Sequence, residues 1–341
     1  MTALHVFGAA LILSATLTPI AWLAARRIGF LDRPRGYKAH AAPTPLAGGV
    51  AVVLAALAAY LAGAVSIDRQ VPPEMLALIA GAVTMLAAGL YDDFRALSPA
   101  FKLAWQALAT LVAGVIAISA GTRLELFLGW PSPAMYALTL AWILVVTNAF
   151  NFLDNANGLC AGLAAIGATA LGIVNLLDGQ AQAAYFAFAW AGACCGFLPY
   201  NFPRARIFLG DAGAMPIGFG LAGLAVIGVY TRGAEVPGLA LLAPVLALAI
   251  PLLDLALVTM IRIASGRAPW RGDRAHISHR LMRRGLRPAA AVGVLWLCAA
   301  VLAGLGLLAH TVPHGMAFGF VALLIVLLIA IALAAGWRGL D

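Results

Sequence analysis

The sequence predicts an all-α, polytopic integral membrane protein of about eleven transmembrane helices. Three observations predict it. Hydrophobic residues make up 64% of the chain and charged residues only 10%. A soluble domain of average composition is roughly half apolar and a quarter charged, so too few charges are present here to cover a surface in water. The apolar residues fall in runs of bilayer-crossing length. Lys and Arg collect in alternate loops between those runs.

The runs are Ala3–Leu23, Leu46–Val65, Glu74–Leu90, Phe101–Ala120, Pro133–Phe150, Leu159–Leu177, Ala183–Tyr200, Ala212–Tyr230, Pro237–Ile263, Ala289–His310 and Met316–Ala335. The first has no basic region before it and an Arg26–Arg27 pair after it, the reverse of a cleaved leader. The ninth carries Pro244 and Pro251, which favour a bend, and Asp254 just beyond them. With the N-terminus outside, the first loop holds Arg26, Arg27, Arg33, Arg35 and Lys38. The ninth holds Arg262, Arg267, Arg271, Arg274, Arg280, Arg283, Arg284 and Arg287. The opposite side has only Arg69, Arg123 and Arg232. This bias places the C-terminus in the cytoplasm. Neither an internal repeat nor a long linker is visible, so residues 1–341 read as one membrane domain.

The net charge of +8 raises the question of nucleic acid. The charges lie in short loops, with no basic tail or basic–aromatic stretch, so the membrane explains them and nucleic acid is excluded. Cys160, Cys194, Cys195 and Cys298 sit in or beside apolar runs without metal-ligand spacing, as small buried hydrophobes do.

Carboxylates are scarce, thirteen in all, so their positions carry information. Asp32, Asp92, Asp93, Asp154, Asp211 and Asp273 lie in or beside the loops assigned to the cytoplasm. A carboxylate cluster on one membrane face points to a divalent cation, because hard cations take oxygen ligands and share them with phosphates. Five segments stand out. Tyr91-Asp92-Asp93-Phe94 puts adjacent acids at a helix C-terminus, a poor place for negative charge. Asn148, Asn151, Asp154 and Asn157 recur at every third position up to Gly158, where Asn155 or Asn157 could equally cap the sixth helix. Gly210-Asp211-Ala212-Gly213 opens the eighth span, where Asp211 is either a ligand or a cap. Asp273, Arg274, His276, His279 and Arg280 form a cationic loop whose guanidinium forks match phosphate oxygens. Lys38 and His40 precede a Pro- and Gly-rich start of the second span.

Together these segments resemble the polyprenyl-phosphate N-acetylhexosamine-1-phosphate transferase superfamily, with the motifs in order across nearly the whole chain. The resemblance implies ten or eleven helices, often a homodimer, in a bacterial cytoplasmic membrane with the active site on the cytoplasmic face. It implies transfer of a sugar 1-phosphate from a UDP-sugar to a polyprenyl phosphate, releasing UMP, with Mg²⁺ or Mn²⁺ as cofactor. Residue by residue, it makes Asp211 and Asp154 metal ligands. Asp92 and Asp93 become the catalytic pair, with Lys38 and Asp154 beside them. It assigns Asn148, Asn151 and Asn157 to the nucleotide region, and Asp273, His276, His279 and Arg280 to the nucleotide-sugar loop. Arg204, before the eighth span, is a further substrate-binding candidate.

That loop lacks the run of three histidines typical of the muramoyl-pentapeptide branch, so the chain resembles the branch using UDP-N-acetylglucosamine. Two departures stand out: Asn157 occupies a position that is often Asp, and Ala214 one that is often Ser. Two other classes compete. A transporter also has broken helices and buried charge, but shows inverted repeats and mid-membrane polar residues. A catalytically weak binder of lipid or nucleotide would fit Asn157.

Overall fold

A bilayer leaves backbone amides no partner but each other, so apolar runs become helices. A computed structural model describes residues 2–33, 43–68, 70–121, 133–228, 242–270, 272–311 and 319. The first eight helices are α1 (Ala3–Ile28), α2 (Gly48–Asp68), α3 (Pro73–Phe94), α4 (Pro99–Ser119), α5 (Pro133–Leu153), α6 (Leu159–Leu177), α7 (Ala181–Asn201) and α8 (Asp211–Ile227). Then come α9 (Leu242–Ala247), α10 (Ala249–Ala264), α11 (Ile277–Arg283) and α12 (Pro288–Thr311). A small antiparallel pair, β1 (Leu31–Asp32) and β2 (Thr44–Pro45), closes the loop between α1 and α2, with Leu31 opposite Pro45.

Eight of the described helices are long and apolar enough to cross a bilayer. The chain is a polytopic all-α membrane protein. Their boundaries sit within a few residues of the apolar runs, and local chemistry sets several of them. Pro99 stands at the first turn of α4, where its missing N–H costs nothing, and Ser98 accepts a hydrogen bond from the Phe101 N–H. Gly29, at φ 73°, ends α1 directly after Arg26 and Arg27.

Two local expectations are corrected. The run Pro237–Ile263 is not one helix where described: Leu248 leaves helical geometry and separates α9 from α10. Pro251 lacks the N–H that would bond to the Ala247 carbonyl, which loosens the ladder there. The sixth helix is capped by neither Asn155 nor Asn157. Gly158 is its N-cap, at φ 76°, and donates its N–H to Asn201 Oδ1 at 2.6 Å. The last run, Met316–Ala335, lies outside the described residues.

The molecule is organised around α8, packed against α2, α3 and α5. Every residue from Ala212 to Val226 is buried. At 17 residues it is short for a bilayer, and its neighbours wall it in. Between membrane helices, close contact of small residues replaces a hydrophobic driving force. Gly89 of α3 illustrates it: a Cβ there would overlap the Asp211 carbonyl, so α3 and α8 meet backbone to backbone. This packing buries the N-terminus of α8, whose first amides then need acceptors from elsewhere.

Candidate active site

Asp93 supplies those acceptors. Its Oδ1 accepts from the Asp211 N–H and its Oδ2 from the Ala212 N–H, each at 3.0 Å. A carboxylate there also meets the positive end of the α8 dipole. Asp93, badly placed at the end of its own helix, is thus well placed at the start of another. Gly210 makes room for it. Its φ of 69° and ψ of 177° suit only glycine, and a Cβ would strike Asp93 Oδ2. The Gly210 N–H donates to Asp154 Oδ2 at 3.0 Å. Two aspartates from different loops therefore pin the backbone beneath Asp211.

The Asp211 side chain is held from two sides. Asn151 Nδ2 donates to its Oδ1 at 2.8 Å, and Lys102 Nζ donates to its Oδ2 at 2.5 Å. The same ammonium lies 2.6 Å from Asp92 Oδ2. Asp92 Oδ1 accepts from the Leu97 N–H at 2.6 Å, just past the end of α3. Asp92, Asp93, Asp154, Asp211, Asn151 and Lys102 thus form one cluster at the ends of α3, α4, α5 and α8. Asn148 stands one step behind, in an amide pair with Gln106 at 2.6 Å.

Lys102 and Gln106 were not singled out as site residues from sequence. Their signal was visible: a charge and an amide four residues apart inside an apolar run share one helix face. Asn157 stands apart from the cluster, donating to the Pro203 carbonyl at 3.2 Å. Arg204 is exposed in the same loop, and the described contacts do not bring it to the cluster. Lys38 lies outside the described residues.

The loop after α10 forms the second half of the site. Arg262 is buried in α10 and grips Asp273 with two parallel bonds of 3.1 Å. Its Nη1 donates to the Pro269 carbonyl at 2.6 Å, and its guanidinium lies 5.2 Å from the Phe152 ring centroid. Burial alone would raise the Asp273 carboxyl, but the bonds from Arg262 and the Ala275 N–H hold it below the usual range. His276 is the N-cap residue of α11 and is packed against Phe152 and His279. Burial, then His276 and Arg274, push the His279 imidazole down to about 4. Arg280 is buried, its Nε donating to the Ala275 carbonyl at 2.9 Å. Ser278 Oγ donates to Asn155 Oδ1 at 2.7 Å. The cationic loop is therefore fastened to the segment that carries Asn151 and Asp154.

Comparison with known proteins gives the family. Residues 75–229 match the model of glycosyl transferase family 4. The chain is 31% identical over 291 residues to a probable undecaprenyl-phosphate N-acetylglucosaminyl 1-phosphate transferase of Bacillus subtilis (strain 168), covering 82% of this chain and 77% of that one. It is 33% identical over 328 residues to a decaprenyl-phosphate N-acetylglucosaminephosphotransferase of Mycobacterium tuberculosis (strain CDC 1551 / Oshkosh), covering 86% and 79%. It is 32% identical over 307 residues to an undecaprenyl-phosphate alpha-N-acetylglucosaminyl 1-phosphate transferase of Escherichia coli (strain K12), covering 85% and 80%. An α-helical membrane transferase is the class that fold and site define. The chain belongs to glycosyl transferase family 4.

Proposed function

We propose that the protein transfers N-acetylglucosamine 1-phosphate from UDP-N-acetylglucosamine to a polyprenyl phosphate, releasing UMP. The observation that carries this reading is the cluster around Asp211, fastened to a cationic loop at the same end of the bundle. The names of the relatives support the same reaction over a muramoyl-pentapeptide transferase or a transporter. The Lys and Arg bias of the loops supports an active site on the cytoplasmic face of a bacterial inner membrane, where a soluble UDP-sugar is at hand.

The reaction joins two anions, so its barrier is largely repulsion. The phosphate oxygen of the lipid attacks the β-phosphorus of the UDP-sugar, and the bond to the α-phosphate oxygen breaks. Arg280 reduces the repulsion, and the imidazoles of the loop orient the diphosphate. Asp92 is the better placed of the acid pair to take a proton from the lipid phosphate, because its Oδ2 is held by the side-chain ammonium of Lys102, whereas both oxygens of Asp93 are committed to the backbone amides of α8. Direct displacement needs no covalent enzyme intermediate.

Among the described residues no preformed cage of three or more His, Cys, Asp or Glu is present. The donor chemistry of the cluster nonetheless suits a hard divalent cation. All its acceptors are oxygens, and two of its carboxylates, Asp92 and Asp211, share the ammonium of Lys102. Asp211 and Asp154 would hold Mg²⁺. Bound there, it would neutralise charge on the diphosphate and stabilise the departing UMP.

The test is UMP release by the purified protein in detergent with undecaprenyl phosphate, Mg²⁺ and a panel of UDP-sugars. Lipid-dependent release from UDP-N-acetylglucosamine is expected. Release from another sugar alone would change the substrate, and release from none would overturn the assignment.

A further inference from the structure

Asp254 lies in α10, just beyond the break at Leu248, and is completely buried. A carboxylate in that position is costly unless its oxygens are satisfied. Both are, and both by the cationic loop. Oδ2 lies 2.7 Å from His276 Nδ1, and Oδ1 accepts from the Ile277 N–H at 2.7 Å. A carboxylate has no proton to give, so Nδ1 is the protonated nitrogen of the ring. The opposite nitrogen, Nε2, has no hydrogen-bond partner among the described residues. A ring whose back nitrogen is fixed by a buried carboxylate, and whose front nitrogen is unengaged, is oriented for a ligand.

The surroundings say which ligand. His276 packs edge-on to Phe152, whose neighbour Asn151 holds Asp211. The ring therefore packs against the segment that carries Asn151 and Asp154. The charged groups round this pair are Arg274 and Arg283 of the loop, His279 beside the ring, and Asp273 held by Arg262.

We infer that Asp254 is a positioning residue for the nucleotide-sugar: it fixes the His276 ring so that Nε2 addresses the diphosphate of the UDP-sugar. The inference rests on the transferase reading above. Asp254 itself touches no substrate. It acts through the ring, and its negative charge balances the positive charge of an imidazole that donates to phosphate from Nε2 while donating to Asp254 from Nδ1.

Two substitutions separate this role from a merely structural one. Asp254→Asn keeps the size and can still accept from Ile277, but its amide faces Nδ1 with a donor and reverses which ring nitrogen carries the proton. His276→Asn keeps a donor to Asp254 and removes Nε2. His276→Asn removes the donor and is expected to raise KM for the UDP-sugar roughly 10- to 100-fold, the range of a hydrogen bond to a charged group. Asp254→Asn leaves a neutral Nε2–H donor but removes the charge that favours the imidazolium, and is expected to raise it about tenfold. KM for polyprenyl phosphate should move less than about threefold. The double variant should be no worse than the poorer single one.

¹⁵N shifts of His276 give a readout free of turnover: Nδ1–H in the wild type, Nε2–H in Asp254→Asn. Asp254→Asn with a wild-type KM and an inverted ring would overturn the inference. So would a further loss in the His276→Asn background, which would place the effect in the Ile277 bond instead. If Asp254→Asn does not fold, His276→Asn alone decides, since an unchanged KM there means that Nε2 meets no substrate. A wild-type enzyme that turns over no UDP-sugar sinks the transferase reading itself, which is a different outcome from any of these.

Discussion

The two halves of the site are built on opposite charge by the same device. In the acidic half, Lys102 bridges Asp92 and Asp211, while Asp93 and Asp154 accept from backbone amides between Gly210 and Ala212. In the cationic half, the loop is held by two carboxylates, Asp254 on His276 and Asp273 on Arg262. Each pole is thus fixed by the minority charge. The difference lies in what surrounds them. The acidic half rests on backbone amides at the start of a buried helix, α8. The cationic half rests on side-chain bonds to α10, beyond the break at Leu248. The two halves meet where Ser278 of the loop donates to Asn155.

That contrast can be broken at either pole. The largest effect is expected from Asp211→Asn, which should lower turnover on the order of 10³-fold, as several kcal/mol of charge stabilisation implies. UMP release measures it. Lys102→Met leaves Asp92 and Asp211 facing each other, and should lower stability by about 2 kcal/mol after allowance for its partial exposure. The thermal midpoint should recover part of that loss on addition of Mg²⁺. Gly210→Ala forces a side chain into the left-handed region and against Asp93, costing about 1–3 kcal/mol.

At the cationic pole, Arg262→Met should raise KM for the UDP-sugar roughly tenfold while leaving the acidic half intact. The smallest effect concerns pH. The folded protein lowers the His279 pKa from 6.5 to about 4, so it favours the neutral ring. That contribution is complete above about pH 6.5 and is lost as pH falls towards 4. His279→Gln should therefore lose less thermal stability than the wild type between pH 7 and about 4.5.

The helices were legible in the sequence because apolar runs and bilayer thickness dictate them almost alone. Leu159–Leu177 was read with its observed ends. The ninth run was not, since a missing N–H at Pro251 weakens a helix without saying where it parts. Of the acidic cluster, Asp92, Asp93, Asn151, Asp154 and Asp211 were legible as scarce polar residues at run ends. Lys102 and Arg262 were legible as charges at the ends of apolar runs, but not by their roles. Their partners, Asp211 and Asp273, lie 109 and 11 residues away in the chain. Only packing shows that one is the counter-ion of an acidic site and the other the clamp of a loop. The division of labour between Asp92 and Asp93 was also invisible, because it depends on the amides of α8 lying over Asp93.

The most direct measurement follows the phosphorus. UDP-N-acetylglucosamine labelled in the β-phosphate is incubated with the protein and polyprenyl phosphate, and the label is sought in the organic extract. Label in the lipid, with the α-phosphate left as UMP, is the predicted result. β-label that stays in water as UDP, with sugar alone on the lipid, would contradict sugar-phosphate transfer.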